Sequence, residues 1–284
     1  MGFVDFFVND MILIIGTNGL LGNFLYKNLS KSFSVIGTSY KDYSVDLLNY
    51  NLLDPIGSLD IIWNKISYVI VTAACSKVRF CEDNPIYSKK VNLYSNIKLL
   101  EFLRKKKIPI ILFSSEYVFD GEDGNYKENS EKNPITEYGR QKSCLENEAF
   151  DIYEKCTIFR ISKIASLYEK GSFLFKMIEE MNSKKEYYAL KSQYFTPILI
   201  EDCLEIIKIT MEKKIYGLFN LCGSKDYSRY SLALELKENL QLNTTIKPCI
   251  LSDLDLKYTI PLDLTMDCTL LKNKFGLNPR TINY

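Results

Sequence analysis

The chain has 284 residues, 36 Lys and Arg against 35 Asp and Glu, and no histidine. A net charge of +1 offers no basic field for nucleic acid and no acidic tail, and 46% hydrophobic with 25% charged residues suits a soluble globular protein. No apolar run approaches the ~18 residues of a membrane span. Without imidazole, proton transfer near neutral pH falls to another residue type.

Residues 1–10 are aromatic-rich but carry Asp5 and Asp10 and no basic segment, which makes a poor signal peptide; they read as an extension outside the core fold. Met11 to Ile15 is an all-apolar run, as expected of a strand buried on both faces. Gly16-Thr-Asn-Gly19-Leu-Leu-Gly22 follows and opens a helix that runs through Leu29. Strands are predicted at Ser34 to Gly37, Tyr68 to Ala73, Pro109 to Phe113 and Thr157 to Ile161. Helices are predicted from about Pro85 to Lys106, over a segment that holds Tyr138 and runs to about Tyr153, and over Ser231 to Leu240. Arg104-Lys105-Lys106-Lys107 ends the first of these, where cations suit the negative end of the helix dipole, and reads as a solvated helix end.

The alternation predicts an α/β fold: a Rossmann-type doubly wound parallel sheet with a smaller C-terminal lobe. The expected division is 1–10 as extension, 11–165 as dinucleotide-binding domain, and 166–284 mainly as a substrate-binding lobe interleaved with the end of the sheet. The eight cysteines form no Cys-x-x-Cys pair, so a zinc site is not expected. Several lie in apolar strand-like runs (Val71 to Cys75, Leu218 to Cys222), which suits reduced thiols and points to the cytoplasm.

Gly16, Gly19 and Gly22 stand where a strand gives way to a helix. Glycines there permit a tight turn, close approach of backbone to a pyrophosphate, and close helix–strand packing, while the helix N-terminus supplies amide donors. The alternative is a plain tight turn. An NAD site places an acid at the end of the second strand to hold the ribose hydroxyls. Here stand Gly37-Thr38-Ser39-Tyr40-Lys41, with no acid until Asp42. Ser39 and Lys41 could take a 2′-phosphate, which favours NADP(H), with NAD(H) left open; Lys41 could equally be a surface lysine. Asp46 could sit near the adenine or cap a turn.

Tyr138-Gly139-Arg140-Gln141-Lys142 puts a tyrosine and a lysine one helical turn apart. A neighbouring cation favours the phenolate and lowers the tyrosine pKa, so the pair can act as an acid/base without histidine. Such a pair can also be no more than a solvated helix face.

Four stretches together resemble the extended short-chain dehydrogenase/reductase superfamily and, within it, the dTDP-4-dehydrorhamnose reductase family. They are the glycine loop; Val71-Thr-Ala-Ala-Cys-Ser-Lys-Val-Arg-Phe-Cys-Glu-Asp-Asn-Pro85 with Val91-Asn92; Phe113-Ser-Ser-Glu-Tyr-Val-Phe-Asp-Gly121; and Pro134-Ile-Thr-Glu-Tyr-Gly-Arg-Gln-Lys142. Met266-Asp-Cys-Thr-Leu-Leu-Lys is a later echo, and the resemblance spans roughly residues 11–280. It implies Tyr138 as general acid, Lys142 as the cation that tunes it and binds the nicotinamide ribose, and Ser115 as a second donor to the carbonyl oxygen. It implies cofactor contacts from Gly16, Asn18, Gly19, Leu20, Leu21, Gly22, Ser39, Lys41, Asp46, Ala73, Ala74, Tyr138 and Lys142. Substrate contacts are expected from Ser76, Glu116, Phe119, Arg160 and Phe195.

Three departures bear on the substrate. Glu116 replaces the family's usual Asp, Arg160-Ile-Ser-Lys-Ile-Ala165 lacks the usual aromatic-rich run after the Arg, and Phe195-Thr-Pro197 matches the family's Ser-Pro loop only loosely. Related 4,6-dehydratases carry a second carboxylate where this chain has Tyr117, so a dehydratase is disfavoured. Glu116 could also be a structural carboxylate beside the cofactor. The leading expectation is an NADPH-dependent reductase of a nucleotide-linked keto-deoxysugar. The alternatives are an epimerase of the same superfamily with tightly bound NAD, and a non-catalytic dinucleotide-binding regulatory subunit, since a regulatory subunit of methionine adenosyltransferase shares the fold. Expected partners are a nucleotide-diphosphate sugar and, as one open assembly, a second copy in a homodimer.

Overall fold

The computed structural model describes residues 11–40, 46–253, 258–282 and 284. A seven-stranded sheet is built from β1 (Met11–Ile15), β2 (Ser34–Ser39), β3 (Leu47–Asn49), β4 (Ile66–Val71), β5 (Ile110–Ser115), β6 (Cys156–Ile161) and the strand Gly217–Leu221. Its spatial order is Gly217–Leu221, β6, β5, β4, β1, β2, β3. The pairs β1/β2, β1/β4, β2/β3 and β4/β5 are parallel. The order reverses between β1 and β4, the position at which doubly wound sheets bind ligands outside the carboxyl ends of their strands. The α/β expectation therefore holds at the level of strand order.

The centre of the sheet is apolar because helices cover both faces. Ile12, Leu13, Ile14, Val69, Ile70, Ile110 and Ile111 are fully buried, each worth about 1.5–3 kcal/mol relative to exposure. Helix Leu20–Leu29 buries Leu21, Phe24, Leu25 and Leu29 at helical spacing. The sheet begins and ends a little away from the expected bounds. The run expected over Tyr68 to Ala73 is strand over Ile66–Val71, and β5 extends two residues past Phe113. The helix expected from Pro85 to Lys106 is three pieces, Pro85–Lys89, a π-helical turn Lys90–Tyr94, and Ser95–Lys106, preceded by a short helix Val78–Asp83.

The described residues gather into two compact units. The first holds those up to Ser114, with Arg140–Phe159 and Leu204–Leu218. Its core joins Leu13, Ile15, Val69, Val71, Leu99, Leu103, Leu112 and Leu145. The second holds Ser115–Gly139, Arg160–Cys203 and the described residues from Phe219 onward. It contains short pairings: Ile164–Ala165 with Ile198–Leu199, Tyr194–Phe195 with Tyr227–Ser228 and Asp263–Leu264, and Glu186–Leu190 with Thr245–Cys249. Helices Phe173–Ser183 and Arg229–Asn239 pack Leu174, Met177, Met181, Leu232 and Leu236 into its core. Ser172 and Ser228 cap them, each accepting from the backbone N–H three residues on.

All eight cysteines are free; Cys144 is exposed, Cys75 half-buried and the other six buried. Cys75 lies in the loop beyond β4, so the apolar run that ends on it is strand only to Val71. Among the described residues no helix is long and apolar enough to cross a membrane.

Candidate functional site

In the first unit, the glycine loop leaves the end of β1 and turns into helix Leu20–Leu29. Thr38 O accepts from Gly16 N (3.3 Å), Thr17 N (2.9 Å) and Thr17 Oγ1 (2.9 Å), which ties the loop to β2. Gly16 has φ +101°, and a Cβ there would meet Ala73 N at 2.6 Å. A Cβ on Gly22 would meet Gly16 O at 2.2 Å. Both glycines are thus demanded by packing within the unit. Gly19 is not, since a Cβ there would come no closer than an ordinary 3.7 Å, to Gly16 O.

Gly19 is the N-cap of the helix, with no side chain capping it and no acid in the first turn. The first-turn amides and the positive dipole end are therefore not neutralised by an acid of the helix's own first turn. Asn18 and Gly19 are exposed, Leu20 is half-buried and Leu21 is in the core. These residues fit a dinucleotide pyrophosphate: donors, space and a missing side chain coincide at the switch point of the sheet.

The loop after β4 lies against this turn. Thr72 N and Ala73 N donate to Ile15 O at 2.9 and 3.0 Å, and Thr72 Oγ1 donates to Gly16 O at 2.9 Å. Ala73 is half-buried; Ala74 and Ser76 are exposed. Ser39 is buried at the end of β2, and the hydroxyl of its neighbour Thr38 is buried without a hydrogen-bond partner among the described residues. Asp46 is exposed, and its carbonyl accepts from Tyr26 Oη at 3.3 Å. Lys41 lies outside the described residues.

Lys142 is 4% exposed, and its Nζ donates to Phe113 O at 2.8 Å. Burial pushes its ammonium down to about 8, against the opposing pull of Glu146 and of the thiols of Cys81 and Cys75. Gln141 beside it joins a buried network that sequence reasoning missed. Asn92 Oδ1 accepts from Cys75 N (2.9 Å), and Asn92 Nδ2 donates to Cys75 O (3.0 Å) and Gln141 Oε1 (2.7 Å). Gln141 Nε2 donates in turn to Ser88 Oγ at 2.8 Å. Asn92 stands in the π-helical turn, so the widened turn carries the side chain that pins the loop after β4. Its signal was a polar residue inside an apolar-periodic segment.

In the second unit, Ser115 closes β5, is 7% exposed, and accepts from Tyr117 N at 3.3 Å. Tyr138 is 8% exposed, and its ring packs edge-on against Tyr117 with centroids 6.1 Å apart. It stands in the first turn of helix Glu137–Ile152, one turn before Lys142 on the same helix. Thr136 Oγ1 accepts from Gly139 N at 3.1 Å, satisfying a first-turn donor. Gly139 is there because the backbone passes close by: a Cβ would meet Tyr117 O at 2.0 Å. Gly139→Ala is expected to lower unfolding stability by about 1–3 kcal/mol through overpacking. A denaturant titration against wild type checks this; an unchanged midpoint would remove the steric role.

The residues expected to touch substrate fare differently. Phe119 and Phe195 are 0% exposed and Arg160 is 1% exposed. Arg160 Nη1 donates to Glu128 O at 2.9 Å, and its guanidinium lies 5.0 Å from the Phe119 ring centroid. Their observed work is packing. Glu116 is 2% exposed and ion-pairs with Lys163 at 3.5 Å. Burial raises its pKa, while Lys163 and Ser162 pull the other way.

The chain matches the model of the RmlD substrate binding domain over residues 10–284. A solved structure of a hypothetical dTDP-4-dehydrorhamnose reductase from Sulfolobus tokodaii superposes with TM-score 0.85 at 26% identity, covering 96% of this chain and 97% of that one. The dTDP-4-dehydrorhamnose reductase of Clostridium acetobutylicum gives 0.83 at 25% identity, with 95% of each chain covered. That of Bacillus anthracis, solved in complex with NADP, gives 0.87 at 18% identity and 96% coverage of both, a likeness of fold.

Among curated relatives, the probable low-salt glycan biosynthesis reductase Agl14 of Haloferax volcanii is 32% identical over 155 residues, 52% of this chain and 52% of that protein. The chain thus spans about half the length of that relative. Methionine adenosyltransferase 2 subunit beta of Xenopus tropicalis is 25% identical over 283 residues, 95% of this chain and 83% of that protein. With a family match across nearly all of its length, the chain belongs to the RmlD substrate binding domain family and is dTDP-4-dehydrorhamnose reductase-like within the extended short-chain dehydrogenase/reductase superfamily.

Proposed function

We propose that the chain is an NADPH-dependent reductase of a nucleotide-linked keto-deoxysugar. The observation that carries this is the placement of Ser115 at the carboxyl end of β5 with Tyr138 and Lys142 one turn apart on the following helix. The nicotinamide, when bound, supplies hydride from its C4. Tyr138 gives its phenolic proton to the substrate carbonyl oxygen, and the Ser115 hydroxyl donates a hydrogen bond to the same oxygen. Lys142 supplies the cation that stabilises the phenolate left behind. Gly16, Gly19 and Gly22 with the first turn of helix Leu20–Leu29 hold the pyrophosphate, and Ala73 and Ala74 line the cofactor on the β4 side.

The test is NADPH oxidation by the purified protein across dTDP-, GDP-, UDP- and CDP-linked 4-keto sugars. Turnover of one or more supports the reductase. Its absence across all four, with nicotinamide dinucleotide still bound, favours the second reading, a regulatory subunit. Similarity to methionine adenosyltransferase 2 subunit beta over 95% of the chain supports keeping that reading in view.

The depressed lysine gives a pH signature. Lys142 loses its proton at about 8 in the folded chain, so kcat/KM is expected to be level below that pH and to fall about tenfold per unit above it. Stability moves the other way. The unfolded lysine has the higher pKa and binds more protons, so the fold gains stability as pH rises through about 8 toward the unfolded value. Rate profiles and thermal melts from pH 6 to 10 check both limbs. A rate level to pH 10 contradicts the role given to Lys142.

A further inference from the structure

Glu116 and Lys163 come from segments that both depart from the family pattern, and in the folded chain they touch, at 3.5 Å. Aromatic rings surround the lysine. Lys163 Nζ lies 5.7 Å from the ring centroid of Tyr117, 5.9 Å from that of Phe173 and 5.5 Å from that of Phe195. An ion pair in such a place is a poor stabiliser, since desolvation of both charges offsets their attraction and an apolar pair of similar volume often does as well. The pair therefore calls for another reason to exist.

The two ends are unlike. The Glu116 side chain is 3% exposed, whereas that of Lys163 is 17% exposed. Lys163 has three N–H donors. The ammonium's one hydrogen bond among the described residues goes to Glu116 Oε1 at the long distance of 3.5 Å. The rings around it attract the cation through their faces but offer no lone pairs. The ammonium is held in place, reachable from solvent, and short of acceptors among the described residues.

Its position relates it to the proposed chemistry. Glu116 directly follows Ser115 in the chain. The ring of Tyr117 packs edge-on against the ring of Tyr138 and also lies under the Lys163 ammonium. Tyr138 and Lys163 thus share one neighbour, the Tyr117 ring, which places the ammonium close to the proposed proton donor.

We propose that Lys163, positioned by Glu116, is a specificity-determining residue that donates a hydrogen bond to a ring hydroxyl beside the substrate's carbonyl. The substrate class is then a nucleotide-linked keto sugar that keeps the hydroxyl on the carbon next to the carbonyl, and the matching deoxy analogue is rejected. A hydrogen bond to a charged donor discriminates by about 30- to 100-fold. This rests on the reductase reading, and the experiment separates the two.

The test uses the full chain with a 4-keto-6-deoxyhexose and its 3-deoxy analogue, each on dTDP, GDP, UDP and CDP. Turnover is followed by NADPH oxidation, and binding by calorimetry with NADP⁺ present. Wild type is expected to favour the 3-hydroxy sugar by about 30- to 100-fold in kcat/KM and in affinity. Lys163→Met should bring that ratio below about tenfold by losing the hydroxylated sugar alone, and Lys163→Gln, which keeps a donor without the charge, should fall between. Thermal melts verify that both variants fold. Loss of both sugars equally in the two folded variants, no preference in wild type, or no binding of either sugar overturns the proposal. Discrimination in binding without any turnover retains it and removes the reductase reading.

Discussion

Replacing Tyr138 by Phe is expected to lower keto-sugar turnover by about 10²- to 10⁴-fold, the usual contribution of a positioned general acid. The reason is compositional as well as geometric. With no histidine in the chain, a phenol beside a lysine is the proton source the motif offers. Phe retains the edge-on packing against Tyr117, so the chain should still fold and, through the glycine loop, still bind dinucleotide. Initial rates and a dinucleotide titration on one preparation separate these effects. Full activity in Tyr138→Phe would remove the residue from the mechanism.

Replacing Arg160 by Ala is expected to cost about 2–5 kcal/mol of stability, as a large buried side chain is lost and a carbonyl left without its donor. Arg160 underlies a loop that folds on itself. Its guanidinium covers the Phe119 ring, which stacks on Tyr126 with centroids 4.1 Å apart and planes 4° from parallel. Tyr126 Oη donates to Asp120 Oδ1 at 2.5 Å and accepts from Gly121 N, Glu122 N and Asp123 N at 3.0–3.2 Å. Asn220 Nδ2 donates to Tyr126 O at 2.8 Å, and Asn220 N donates to Glu128 Oε1 at 2.9 Å. Removing Arg160 takes the base from this stack and frees Glu128 O. Denaturant midpoints of wild type and Arg160→Ala measure the cost. A loss of substrate affinity with stability intact would instead restore Arg160 as a substrate contact.

The strands of the sheet were legible because burial on both faces leaves a plain mark: Met11–Ile15 is apolar throughout and is strand over that whole span. The glycine loop was legible for a local reason, since Gly16 and Gly22 answer to contacts that any strand–turn–helix unit of this kind makes. Tyr138, Lys142 and Ser115 stood out as types at a spacing, and the structure puts the first two on one helix and Ser115 at the end of β5. What escaped depends on distant partners. The break in the helix expected over Pro85 to Lys106 follows from Asn92, whose side chain serves the backbone of Cys75 and the amide of Gln141. Two-residue strands such as Tyr194–Phe195 exist only through their neighbours Tyr227–Ser228 and Asp263–Leu264.

Helix Phe173–Ser183 is a different case. Ser172 as cap with Leu174, Met177 and Met181 at helical spacing carried a readable signal, obscured by the aromatic and polar residues between them. Glu116 and Lys163, 47 residues apart, could not be paired by any local pattern. Phe119 and Arg160 look like ligands in sequence because arginines and aromatics line binding sites, and the structure gives them to each other.

Isotope transfer tests the central claim most directly. The protein is incubated with NADPH deuterated at the transferring C4 position and with the keto sugar that the nucleotide panel selects, and the product is weighed by mass spectrometry. The reductase account predicts one deuterium on the product sugar and one oxidised dinucleotide per turnover. An isomerised sugar without deuterium or net NADPH consumption, or an unchanged sugar with the dinucleotide still bound, would contradict it.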